Sequence, residues 1–227
     1  MNYYFISYGL TLIAVIITLS AQTFINKNYN KYSKVKNFNN ITGKDAARYL
    51  LDKNGLTNIE IEKISGHLTD HYDPKNKKIR LSSNIYSGNS IASVAVACHE
   101  CGHAIQDQDG YVFMRIRSSL VHIVNFSSYA GYIAIVLGII ASSFNLIWLG
   151  ILLESIILLF QLITLPVEID ASKKALKELE NSNYLTQEEL NQSKIILTSA
   201  ALTYVASVAN TLIQILRLIL IYGRRDD

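Results

Sequence analysis

Apolar residues fall along this chain in four long runs separated by two polar stretches. The first run, residues 5–25 (FISYGLTLIAVIITLSAQTFI), holds 21 residues without a charge, and about 20 helical residues cover the roughly 30 Å of a bilayer's hydrocarbon. Residues 127–144 (SSYAGYIAIVLGIIASSF) and 146–167 (LIWLGILLESIILLFQLITLPV) are divided only by Asn145 and predict a helical hairpin with a very tight turn. The last run, residues 195–222, is interrupted only by Arg217. As one helix it would reach about 42 Å, so its first turns are expected outside the bilayer. The pattern predicts a mainly α, polytopic membrane chain with about four transmembrane helices: one over 5–25, a hairpin over 127–167 and a C-terminal one over 195–222. No cleaved leader is expected, because MNYYF lacks a basic start and the run that follows is too long.

The polar stretches, residues 26–120 and 168–194, have their own patterns. TGKDAARYLLDKNG opens with Thr42 and Asp45 in capping positions and stops at Asn54-Gly55, which predicts a short helix. A strand-like TNIEIEKI, the turn-rich GHLTDHYDPKNKK and the strand IRLS follow. Next comes a helix capped by Asn89 or Ser90. From Ile91 to Gln106 its only formal charge is Glu100, so it should be buried on every face, yet it is short for a membrane span. It reads as the core helix of a small α+β domain over 26–120, with 168–194 as a further helical segment.

Composition agrees with a membrane setting, since 50% of the 227 residues are hydrophobic. Charge adds an orientation. The polar stretches hold all of the 21 Lys and Arg except Arg217, Arg224 and Arg225. The positive-inside rule then places both stretches in the cytoplasm, Lys27, Lys31, Lys34 and Lys36 counting most because they follow the first span directly. Two spans separate the stretches, so both face the same side. The terminal GRRDD would lie outside, against the rule, unless the last run does not cross. A net charge of +3 calls for no nucleic-acid partner, and NKNYNKYSKVK reads as a solvated, lipid-facing stretch.

Candidate chemistry is concentrated in VAVACHECGHAIQDQDG, residues 94–110. His99 and His103, four apart, project from one helix face on consecutive turns, where both imidazoles can bind one ion. Glu100 lies beside them, placed to act on a water rather than as a ligand. This is the H-E-x-x-H arrangement of two zinc ligands and a general base. Cys98 and Cys101 form a C-x-x-C without a second pair, and small buried hydrophobes are their expected role. A catalytic zinc needs a third protein ligand. The metzincin continuation fails, with Gln106 and Asp109 at its Gly and His positions. Glu168 in LPVEIDASKKALKELE, with small Ala171 one turn on, is the favoured candidate; Asp170, Asp109 and the cysteines stay as rivals. His67, His71, His122 and several tyrosines are open as a second oxyanion donor, and His67 and His71 more simply order their loop.

KYSKV after the first span, then GHLTDHYDP, IRLS, AVACHECGHAIQ, LPVEIDASKKAL and AALTYVAS, resembles in this order the YugP-type family of neutral zinc metallopeptidases of bacterial membranes. The resemblance runs nearly end to end. More distantly the chain is similar to the CAAX prenyl protease and heat-shock membrane protease group, where a glutamate in E-x-x-A-D completes the zinc site. It implies a zincin-like metalloprotease domain, one zinc per chain, Glu168 as third ligand, and a bacterial cell membrane location. Ser172 stands where that motif ends in aspartate, which leaves open the partner of a ligating histidine. The expected function is zinc-dependent hydrolysis of peptide bonds in membrane-associated proteins or peptides, with the active site facing the cytoplasm. The alternative is a non-enzymatic membrane module in which zinc or a polar cluster pins the domain to the hairpin.

Overall fold

The computed structural model describes the backbone of residues 3–223 and, within that range, side chains from Phe5 onward. Residues 224–227, which carry the expectation about the basic terminus, lie outside the described range, as do Met1 and Asn2. Four helices are long and apolar enough to cross a membrane: α1 (Tyr3–Tyr32), α5 (Val112–Ile140), α6 (Phe144–Ser182) and α7 (Gln187–Tyr222). Between α1 and α5 lie α2 (Gly43–Lys53), β1 (Glu60–Ile64), β2 (His71–Asp73), β3 (Lys78–Ser82), α3 (Ser83–Tyr86) and α4 (Ile91–Gln108).

The chain divides into two compact units. One comprises residues up to Gln22, Ile116–Leu165 and Leu202 onward. Ile147, Ile151, Ile215 and Leu218 form its core, while Tyr8, Phe126, Tyr129, Tyr132 and Ile140 are exposed, as suits a surface solvated by lipid. The α5–α6 turn occupies residues 141–143 rather than Asn145, which falls inside α6. Ser142 takes a positive φ of 50°, and the N–H groups of Ser142 and Ser143 close on the carbonyls of Ile139 and Gly138, the backbone pattern that ends a helix sharply. Glu154 accepts from Gln214 Nε2 at 3.3 Å, and Arg217 donates to Ser7 at 3.2 Å.

The other unit comprises Thr23–Arg115 and Pro166–Ala201. Thr42 caps α2 as its sequence predicts, accepting from Asp45 N–H at 3.1 Å. Ala46, Ala47, Leu50 and Leu51 are then buried on one face, each leucine contributing about 2 kcal/mol. The sheet order is β1-β3-β2, with β1 parallel and β2 antiparallel to β3. β2 falls within GHLTDHYDPKNKK, which its composition marks as turns. Cross-strand pairing of Tyr72 with Ile79, and burial of the Tyr72 ring, hold the strand where three residues are too few to show an alternating pattern.

All four long helices run further than the apolar pattern predicts, α1 to Tyr32 and α5 from Val112. α6 continues through Pro166 to Ser182, so the segment after the third run is the same helix and not a separate one. α7 starts at Gln187 because Thr186 and Glu189 form a capping box: Glu189 Oε2 accepts from Thr186 N–H at 2.8 Å and Thr186 Oγ1 from Glu189 N–H at 3.3 Å. The other oxygen of Glu189 accepts from Phe38 N–H at 2.7 Å and ties the helix start to the chain leaving α1.

Candidate metal centre

Ser90 caps α4, accepting from Ser93 N–H at 3.0 Å, and the helix buries most of its surface, leaving His99 partly open. Four residues apart, His99 and His103 present their rings at a centroid distance of 4.8 Å. α6 reaches them because Gly102 has no side chain. A Cβ there would lie 2.3 Å from the carbonyl oxygen of Ala171, itself fully buried. That backbone approach brings Glu168, one turn before Ala171, against both histidines. Glu168 Oε2 lies 3.2 Å from His99 Nε2 and 3.6 Å from His103 Nε2. All three ligand atoms lie within 4.8 Å of one another, and among the described residues this is the cluster able to hold a metal. Tetrahedral zinc with N and O ligands at 2.0–2.2 Å separates its ligand atoms by roughly 3.3 Å, so the donor set fits zinc in chemistry and spacing.

Each histidine has a second partner on its Nδ1. Gln106, fully buried, accepts through Oε1 from His103 Nδ1 at 3.0 Å, and its amide donates to Val167 O at 2.7 Å and to Asp170 Oδ2 at 2.9 Å. The two acceptors fix which way the amide faces. His103 Nδ1 therefore carries the proton and Nε2 keeps its lone pair for a metal. His99 Nδ1 meets the Ser172 hydroxyl at 3.1 Å, which answers what replaces the aspartate at this position. The sequence reading missed Gln106 as an orienting group. Its signal was an amide in an otherwise apolar helix, three residues after His103 and so on its face.

Glu100 is buried beside the histidines, and its Oε2 accepts from Tyr72 N–H on β2 at 2.9 Å. The Tyr72 hydroxyl donates to Asp107 Oδ2 at 2.7 Å, and Lys77 pairs with the same carboxylate. Burial pushes the Tyr72 phenol well above its ordinary value, and Asp107 adds to the shift, so the hydroxyl remains a donor. α4 thus holds β2 at both ends of the Tyr72 residue: by Glu100 at its backbone and by Asp107 at its ring.

The rival ligands are engaged elsewhere. Asp170 receives Gln106, and Asp109 pairs with Lys174 at 2.7 Å. Cys98 and Cys101 are fully buried, which raises both thiols far above their ordinary range and keeps them protonated. His67 stacks edge-on with Tyr29 at 5.5 Å, and His71 Nδ1 lies 2.8 Å from Thr69 O, so both order their loop. His122 lies on α5, in the unit that does not contain the cluster.

Four helices of membrane-spanning length and a largely buried His-His-Glu cluster define a membrane protein with a metal-competent centre. The chain belongs to the family described as "Putative neutral zinc metallopeptidase", which it matches over residues 7–223. It is 41% identical over 219 residues to the "Putative membrane protease YugP" of Bacillus subtilis (strain 168), covering 96% of this chain and 97% of that protein. No solved structure matches it.

Proposed function

We propose that the chain is a membrane-embedded zinc endopeptidase of the gluzincin type, with His99, His103 and Glu168 as ligands of one zinc and Glu100 as general base. The observation that carries this reading is the convergence of Glu168 Oε2 on the two histidine Nε2 atoms, with Glu100 on the adjoining helix position. Zinc held there would supply Lewis acidity, lowering the pKa of a water and polarising a peptide carbonyl. Glu100 Oε2 is anchored by Tyr72 N–H, which leaves Oε1 to take the proton from the attacking water and return it to the departing amine. Gln106 holds the His103 imidazole in the tautomer that leaves Nε2 free, and Ser172 orients the His99 ring through its Nδ1.

The substrates fitting this setting are membrane-associated proteins or peptides, and the lysines after the first apolar run favour a zincin-like domain facing the cytoplasm of a bacterial cell. The close approach of Gly102 to Ala171 and the direct His99–Glu168 contact also suit a second reading, in which the cluster only pins α6 to α4. One substitution separates the two. In the detergent-purified chain, metal analysis should find one zinc, and casein cleavage should stop with 1,10-phenanthroline. Glu100→Gln should keep the zinc and lose roughly a hundredfold or more in rate. Cleavage that survives in Glu100→Gln, or a zinc-loaded wild type inactive on casein and on itself, would reject the enzyme reading.

A further inference from the structure

A notch on α6 and α7, away from the metal-competent cluster, gathers three lysines against a single acid, Glu180. Lys173, Leu176, Lys177 and Glu180 share one face of α6, while Leu190 and Lys194 lie on the facing side of α7; together they line a cavity of about 440 Å³. The helices run antiparallel here, joined through residues 183–186, so Lys173 and Lys194 both stand at the end where the long apolar runs begin, and Glu180 stands near the turn. Other lysines of this unit have partners: Lys174 pairs with Asp109 at 2.7 Å and Lys53 with Glu178 at 3.2 Å. Among the described residues Lys173, Lys177 and Lys194 form no ion pair. Three lysines and one glutamate leave the cavity lining with a net charge of +2, which attracts an anion.

Their depth selects the anion. Lys194 lies about 12 Å of helix before Leu202, where the lipid-facing unit resumes on α7, and Lys173 follows the end of the third run at Val167 by about 9 Å, with Lys177 one turn further out. The headgroup layer beyond the hydrocarbon is about 5–8 Å thick, within reach of a lysine whose stem lies along apolar surface. Leu176 and Leu190 supply that surface, half-buried against the core.

We propose that this notch binds a phosphate-bearing anion, which in a bilayer is the headgroup of an acidic phospholipid, Lys173, Lys177 and Lys194 meeting the phosphate and the two leucines the glycerol end. The full chain in neutral detergent is titrated separately with phosphatidylglycerol, phosphatidylcholine and inorganic phosphate, and thermal unfolding and protein-bound phosphorus are followed. Phosphatidylglycerol should raise the unfolding temperature and stay bound through gel filtration, and phosphatidylcholine should do neither. A rise with phosphatidylglycerol alone assigns the notch to lipid, whereas an equal rise with millimolar phosphate upholds the anion site and assigns it to a soluble ligand.

Lys173→Gln/Lys177→Gln/Lys194→Gln should weaken phosphatidylglycerol binding roughly ten- to a hundredfold, while Lys27→Gln/Lys31→Gln/Lys34→Gln, the same change of charge elsewhere, should not. Equal retention by wild type and the Lys173 triple variant overturns the proposal. Should that variant fail to fold, Glu180→Gln decides, since it removes the lining's acid and leaves every lysine: tighter binding upholds the notch, and unchanged or weaker binding overturns it.

Discussion

The Glu168 carboxylate stands 3.2 Å from His99 Nε2, although 69 residues separate the two in the chain. Removing it leaves the buried His103 and the partly open His99 facing an unfilled space, with only two ligands for a metal. Glu168→Ala is therefore expected to lose most of the bound zinc and all measurable proteolysis. Asp170→Asn should retain its zinc, because Gln106 keeps its bond to Val167 O. Metal content per chain after gel filtration checks both, and full zinc occupancy in Glu168→Ala would remove Glu168 from the ligand set.

Gln106 connects His103 to two groups on α6, and its loss should appear in metal affinity before it appears in fold. Gln106→Ala is expected to weaken zinc binding by about 10- to 100-fold, measured by competition with a chromogenic chelator. Gln106→Glu should not restore it. The carboxylate still accepts from His103 Nδ1, but it cannot donate to Val167 O and would face the Asp170 carboxylate. Wild-type affinity in either variant would show that His103 is oriented by packing alone.

Gly102 is the position where steric space sets the site. Gly102→Ala places a methyl 2.3 Å from Ala171 O, a contact that requires α4 and α6 to separate. The expected cost is about 1–3 kcal/mol, seen as a lower unfolding midpoint together with weaker zinc binding. Adding Ala171→Gly should not rescue it, because the obstructing atom belongs to the backbone. Rescue by that second change would mean the helices meet through side chains instead.

What the sequence disclosed, and what it did not, follows from the range of each interaction. His99, Glu100 and His103 were legible because helix periodicity alone puts the two histidines on one face. Glu168 was named as third-ligand candidate through the chemical need for one and through resemblance, and only the fold shows it beside the histidines, with Asp170 and Asp109 engaged by Gln106 and Lys174. Ser172 and Gln106 act across a contact between α4 and α6 that no local pattern encodes. The Tyr72 bond to Glu100 comes from a backbone N–H, which any residue but proline supplies, so residue identity carried no trace of it. The apolar runs marked four helices but not their ends, since α6 and α7 extend into polar sequence held by packing and by the Thr186–Glu189 cap.

Orientation is open to direct labelling. In a background lacking Cys98 and Cys101, single cysteines at Lys34 and at Lys173 should both resist a membrane-impermeant thiol reagent in intact cells and react once the cells are opened. The lysines that follow the first apolar run and the two runs that lie between Lys34 and Lys173 require the same result at both sites. Labelling at one position only would break the pairing of the two polar stretches, and labelling at both would invert the chain.

The separation of His103 and Glu168 along the chain also sets a schedule. A ribosome adding about 5–20 residues each second exposes the motif helix several seconds before it reaches α6. During that interval the growing chain holds two of the three proposed metal ligands and the proposed base but not Glu168, which is made only after both apolar runs of the hairpin. Under the proposed function, hydrolytic competence would arrive with membrane integration, and a chain that stalls or strays before inserting its hairpin would stay inert among the cell's other nascent proteins.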